Sequence, residues 1–176
     1  MTDVHSQETR SYNMSRIRAK DTKPELLVRK FLFSKGFRYR VNVKNLPGKP
    51  DIVLPKYKTV IFIHGCFWHG HEGCRYFVIP KTRTEWWTEK IRKNKERDQK
   101  DHDALRIAGW NIMTVWECQL KPKICAETLE GIALLLEKTR LNRLKKTTHK
   151  PYLQPQQEIL QVAEKKVSYG NQDAEE

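Results

Sequence analysis

The chain has no apolar run approaching the roughly 20 residues that a membrane-spanning helix needs. Its opening stretch, MTDVHSQETR, has none of the apolar core of a signal peptide. Both absences lead to the expectation of a protein that stays in the cytosol. Cysteine is sparse, at 4 residues in 176, and in that compartment thiols serve as metal ligands or stay free rather than pairing. Disulfides are also unnecessary, because a single domain of this length buries roughly 70% of its unfolded surface. Acid is in deficit too: 21 Asp and Glu stand against 34 Lys and Arg, a net charge of +13. The deficit is uneven. Residues 151–176 hold two lysines against five acids, so residues 1–150 alone carry +16. A body that basic fits a polyanionic partner, most often nucleic acid, although a solvated lysine-rich surface has the same composition.

What is present falls into a readable order. Residues 1–20 are polar, with Met14, Ile17 and three arginines (Arg10, Arg16, Arg18). They read as a basic arm laid on a partner or as a frayed terminus. Asp21-Thr22-Lys23-Pro24 is a helix start, with an N-cap candidate and a first-turn proline. That helix runs to Ser34 or Lys35 and stops at Gly36. Glu25 in its first turn suits the positive helix end, which alone accounts for it. Phe37 to Val43 alternates apolar and polar residues, the period of a half-buried strand. After the turn Leu46-Pro47-Gly48-Lys49-Pro50 come a short strand, Asp51 to Leu54, another turn, and a fully apolar strand, Thr59 to His64. As a meander, these two strands bring Asp51 and His64 together at their ends. Thr84 to about Ala108 is a long helix ended by Gly109, with Trp87, Ile91 and Leu105 on its apolar face. Its charged middle stays solvated or meets phosphates. Trp110 to Trp116 is another apolar strand, delivering Glu117-Cys118, and Ile124 to Lys146 is an amphipathic helix. The expected organisation is a basic arm (1–20), a folded domain (21–148) and a polar acidic tail (149–176) with little pattern.

The chemistry concentrates between Val60 and Cys74, VIFIHGCFWHGHEGC. Cys66, His71 and Cys74, with Cys118 after a strand that can lie alongside, make a Cys3His set suited to closed, structural, tetrahedral zinc. The spacing C-x4-H-x2-C is not that of a standard finger, and buried free cysteines beside an incidental histidine remain the plain alternative. Cys125 has no histidine neighbour and reads as a small core residue. His64 and His69 are then left for other work. Asp51 with backbone carbonyls offers a hard oxygen site for magnesium, and a histidine near neutral pKa can take a proton from an attacking water. Together these parts describe metal-assisted phosphodiester hydrolysis. Phe67-Trp68 packs inward or, in a nucleic-acid-binding protein, wedges between base pairs, where a mismatched step is cheapest to open.

The runs HGCFWH, LPGKPD, TRTEWWTEKIRKNKERD and VWEC, with Ser11-Tyr12-Asn13-Met14, resemble the very short patch repair (Vsr) DNA mismatch endonucleases over about residues 3–120. The resemblance implies a restriction-endonuclease-like α/β/α sandwich with a central mixed sheet and a structural zinc. It implies a nick 5′ of the thymine in T:G mismatches left by deamination of 5-methylcytosine. Residue by residue, it makes Asp51 the magnesium carboxylate, aided by the carbonyl of Ile63. His69 becomes the general base, with His64 beside it, oriented by Glu25. Cys66, His71, Cys74 and Cys118 hold zinc. Phe67, Trp68 and Trp87 enter from the major groove and Met14 from the minor groove, while Lys90 and Asn94 read the mismatched pair. Implied partners are double-stranded T:G DNA, a functionally linked cytosine-5 DNA methyltransferase and mismatch-repair proteins. The expected state is a monomer in bacterial cytoplasm, associated with the nucleoid.

Two features depart from the family pattern. Ile63 stands where threonine is common, a change that preserves a carbonyl ligand. The loop from His69 to Cys74 is one residue longer and poorer in histidine than in some members. A restriction endonuclease of the same fold and a zinc-stabilised DNA-binding module without catalysis are the alternatives. The aromatic wedge and histidine base, with no second acid-x-lysine pair after Asp51, favour the nicking enzyme.

Overall fold

The computed structural model describes residues 6–16 and 20–148. Ile17 and Arg18 of the expected arm, and the tail from residue 149 onward, lie outside the described residues. Helix α1 spans Gln7–Ser15, and its cap is Ser6, whose hydroxyl accepts from the Thr9 amide at 3.2 Å. Helix α2 spans Lys23–Ser34 and begins as its sequence dictates. The Thr22 hydroxyl faces the Glu25 amide, and Glu25 reaches back to accept from the Thr22 hydroxyl and the Asp21 amide. This reciprocal cap satisfies donors that a helix end otherwise leaves open. Gly36, at φ +85°, ends the helix in the left-handed region that glycine enters freely.

Strand β1 (Ile52–Leu54) pairs antiparallel with β2 (Thr59–His64) across a 3-10 turn at Pro55–Tyr57. Strand β3 (Asn111–Trp116) pairs parallel with β2, from Thr59 opposite Asn111 to His64 opposite Trp116. The sheet is therefore mixed, in the order β1-β2-β3. A parallel neighbour needs a crossover, and helix α3 (Thr84–Ile107) supplies it. Helix α4 is Cys125–Thr148. The chain divides into two units between Arg140 and Leu141, and the second contributes only the last turns of α4 to the described residues.

The pleat sorts the core into two clusters. Ile52, Leu54 and Ile61 face α2 (Val28, Leu32) and α4 (Leu129, Ile132, Leu136), while Val53, Val60 and Phe62 face Leu105 of α3. Helices thus cover both faces of the sheet. This is why Thr59–His64 is apolar throughout rather than alternating. Leu32→Ala, at a site with no exposure, is expected to cost about 2–5 kcal/mol in urea unfolding. Ile107→Ala, 88% exposed, should stay within about 0.5 kcal/mol, and equal losses would contradict this core.

One expected element is missing. Phe37 to Val43 is not a strand; it makes a single bridge, Arg40 to Val53, with amide–carbonyl bonds of 2.8 and 2.9 Å. Asn42 turns to φ +54°, a conformation asparagine tolerates, and breaks the ladder there. Phe37 still buries its ring against Tyr57. No helix among the described residues is long and apolar enough to cross a membrane.

Candidate active site and metal centre

The edge of the sheet where β1 begins and β2 ends opens into a cleft of about 1470 Å³ between α2 and α3. Asp51, immediately before β1, lies on its wall, and its Oδ2 accepts from the Ile63 amide at 2.7 Å. Burial pushes the Asp51 carboxyl up to about 6; the Ile63 amide and the Arg29 guanidinium oppose this without cancelling it. Arg29 donates to the Asp51 carbonyl at 3.2 Å and to Glu25 Oε2 at 2.9 Å, and also pairs with Asp21. Glu25 is buried, and its hydrogen-bond partners are Thr22, the Asp21 amide and Arg29; His64 is not among them. Glu25 lines the cleft itself, its charge adds to the upward push on Asp51, and Arg29 links it to the Asp51 backbone.

The two expected histidines do meet. His64 ends β2, buried, and its ring lies flat on that of His69 at 3.7 Å and 8°. Burial, then the neighbouring His69, lowers the His64 pKa to about 3, so His64 is neutral at physiological pH. His69 Nδ1 lies 2.5 Å from Asp98 Oδ2. Burial opposes ionisation of Asp98, yet the bond and charge of His69 hold its carboxyl below the usual range. Asp98 was not found from the sequence, although a signal for it exists. Ile91, Asn94, Asp98, His102 and Leu105 are spaced three, four, four and three along α3, so its polar members share the inward face with the apolar ones. His102 packs on Phe62 at 4.9 Å, and its Nε2 is buried without a partner among the described residues. Asn94 is buried too, donating from Nδ2 to the Trp68 carbonyl at 2.9 Å.

The thiol set assembles because β2 and β3 run parallel in register. His64 stands opposite Trp116, so Cys66 and Cys118, two residues further along each chain, emerge side by side. The loop then folds back, with the His71 amide on the Cys66 carbonyl at 3.0 Å and the Cys74 amide on the His71 carbonyl at 3.3 Å. Gly70, at φ +62°, permits this, and a Cβ there would meet Ile91 at 2.9 Å. The His71 ring stacks on Trp116 at 4.0 Å and 3°. Ligand atoms of Cys66, His71, Cys74 and Cys118 all lie within 4.8 Å of one another. Burial pushes the Cys66 thiol up to about 12, and burial also raises Cys118, whereas the Tyr76 amide lowers Cys74. Three sulfurs and an imidazole fit a thiophilic ion in tetrahedral coordination, whose charge would strip the thiol protons. Cys125 stands apart, packed against the core.

The loop between the two centres carries the aromatics. Phe67 lies edge-on to Trp68 and to Trp87, both at 5.2 Å, and Trp86 stands 4.7 Å from Trp87. Phe67, Trp68 and Trp87 therefore form one half-buried cluster. Lys90 is exposed on α3, and Met14 is exposed on α1.

Asp51 and His64 should leave opposite marks on stability measured without magnesium. Asp51 binds its proton more tightly when folded, so it removes stability as pH rises from about 4 to 6. His64 resists protonation when folded, so it adds stability as pH rises from about 3 to 6.5. In Asp51→Asn only the second effect survives. Its stability should rise more steeply than wild type's across pH 4–6, by about 2 kcal/mol over the window. Parallel curves in denaturant titrations would contradict the buried carboxyl.

Comparison with known proteins follows the same lines. The family model described as DNA mismatch endonuclease Vsr matches residues 2–75. The chain is 58% identical over 133 residues to the type II nicking enzyme V.NmeAIP of Neisseria meningitidis serogroup A, covering 75% of this chain and 94% of the relative. It is 50% identical over 120 residues to the type II nicking enzyme V.XorIIP of Xanthomonas oryzae pv. oryzae, covering 68% and 88%. Similarity to the DNA mismatch endonuclease Vsr of Escherichia coli K12 is 49% over 121 residues, covering 69% and 77%.

Proposed function

The chain belongs to the DNA mismatch endonuclease Vsr family and is a DNA endonuclease, and we propose that it nicks one strand 5′ of the thymine in a T:G mismatch. The observation that carries the reading is the juxtaposition, in one cleft, of a desolvated carboxylate and a carboxylate-held histidine beside an aromatic loop. Asp98 holds Nδ1–H of His69, which leaves Nε2 free to accept the proton of an attacking water. Neutral His64, stacked on His69, keeps that ring in plane. Asp51, with the carbonyl of Ile63, would hold magnesium, which when bound polarises the scissile phosphate. Glu25 acts on Asp51 by its charge and through Arg29, which holds the Asp51 backbone, and it makes no hydrogen bond to His64.

Cys66, His71, Cys74 and Cys118 would hold zinc, which would tie the ends of β2 and β3 together and so set the root of the aromatic loop. Phe67, Trp68 and Trp87 wedge into the stack from the major groove, at a cost that a mismatched step reduces. Asn94 anchors that wedge by holding the Trp68 carbonyl, and Lys90 beside it faces the mismatched pair. Met14 on α1 works from the minor-groove side, as part of an arm spanning residues 1–20. Helices on both faces of the mixed sheet support a restriction-endonuclease-like sandwich as the catalytic domain, residues 21–148. The enzyme works as a monomer in the bacterial cytoplasm. It follows a cytosine-5 methyltransferase whose product deaminates to thymine, and mismatch-repair proteins are further partners.

The test is incubation with T:G, U:G and matched duplexes in randomised flanks, with magnesium or with chelator. A magnesium-dependent break confined to the mismatched duplexes supports the reading, and the surviving flanks reveal the methyltransferase site. Cutting of matched DNA would make this a restriction enzyme. Tight binding without any break would leave a DNA-binding module.

A further inference from the structure

The turn ahead of Asp51 holds a backbone conformation that its sequence disfavours. Lys49 sits at φ +47° and is followed by Pro50. Left-handed backbone crowds the Cβ of a non-glycine residue, and a following proline pushes its predecessor toward extended backbone. Gly48 next to it, at φ +67°, occupies the same region without penalty. The turn is nonetheless pinned. The Lys49 amide donates to the Leu46 carbonyl at 3.3 Å, and Pro50 is buried. A Cβ on Gly48 would stand 3.0 Å from Asp101 of α3 and 3.2 Å from Phe62 of β2. Strain of this kind persists where the surroundings over-determine it, and it gathers at functional sites.

The charges lining the cleft give the lysine a task. Arg29 is committed to Glu25, Asp21 and the Asp51 carbonyl. Arg97 pairs with Asp98, and Lys121 with Glu117. Lys49 lines the cleft with its side chain exposed and its ammonium unpaired among the described residues. Lys20, Lys23 and Lys44 line it as well, but Lys49 alone belongs to the turn that delivers Asp51, two residues from that carboxylate. A carboxylate site for a phosphodiester needs a cation to neutralise the phosphate oxygens, and fixed positive groups stabilise the charge that develops there.

We propose that Lys49 is a substrate-binding residue whose ammonium pairs with a non-bridging oxygen of the phosphate held at Asp51, its strained backbone being retained for that position. The proposal deepens the mismatch-nicking reading and rests on it.

Wild type, Lys49→Gly and Lys49→Arg separate the possibilities in two assays: single-turnover nicking of a T:G duplex, and magnesium-free binding to it across a salt series. Lys49→Gly should unfold at or above the wild-type midpoint, because the strain is relieved, yet nick about 100-fold more slowly. Its plot of log affinity against log salt should flatten by about 0.9, the loss of one phosphate contact. Lys49→Arg should restore the slope and most of the rate. A Lys49→Gly enzyme that nicks as fast as wild type, or a Lys49→Arg enzyme as slow as Lys49→Gly, would overturn the proposal. A wild type that leaves T:G DNA whole defeats the mismatch-nicking reading instead, while the magnesium-free salt slope still reports on Lys49.

Discussion

Asp51→Asn should lose nicking by about 10³-fold or more while binding a T:G duplex as tightly as wild type. Several kcal/mol of transition-state stabilisation come from a Lewis-acidic metal, and each 1.4 kcal/mol is about tenfold in rate. Asparagine keeps an oxygen for the Ile63 amide, so the fold around the cleft has no reason to shift. The same change should raise stability at pH 7 in the absence of magnesium. A carboxyl whose pKa rises to about 6 on folding is held ionised there against the preference of its surroundings. Activity and stability therefore move in opposite directions at this residue. A variant that nicks normally, or that loses T:G binding together with nicking, would remove Asp51 from the metal site.

Cys66→Ser should leave no cooperatively folded protein at 37 °C, and wild type should carry one zinc per chain by elemental analysis. Structural zinc contributes on the order of 10 kcal/mol to folding in small systems, against a total of about 5–15 kcal/mol for a typical domain. Here the ion would close the loop from Gly65 to Cys74, which has no helix or strand, onto the parallel ends of β2 and β3. Cys66 is the buried member, and its thiol, at about 12 without metal, would release its proton to solvent as an ion binds the sulfur. A serine variant that melts at the wild-type temperature, or wild type free of zinc after purification without chelator, would contradict a structural centre.

Much of this was legible in the residues, for local reasons. Helix α2 announces both ends through Thr22, Pro24 and Gly36, and β2 appears in full as an apolar run ending in His64. The Cys3His set was readable because three of its members lie within nine residues. What escaped depends on contacts between distant segments. That the strand before Cys118 lies alongside was expected; its parallel sense and its register on β2 were not read from either strand. Asp98 looked like one more charge in a charged helix, and only the position of His69, 29 residues earlier, makes it a partner. The stretch from Phe37 to Val43 has the alternation of a strand, but one left-handed residue, Asn42, cancels it. Glu25 reads as a capping acid, and it is one; its further bond, to Arg29, and its charge tie it to Asp51.

The most direct measurement labels the two strands of a single T:G duplex with different fluorophores and resolves the products to one nucleotide, with magnesium present. One break is expected, in the thymine strand, at the phosphodiester on the 5′ side of the mismatched T, with the guanine strand intact. Breaks in both strands, or a break confined to the guanine strand, would contradict it.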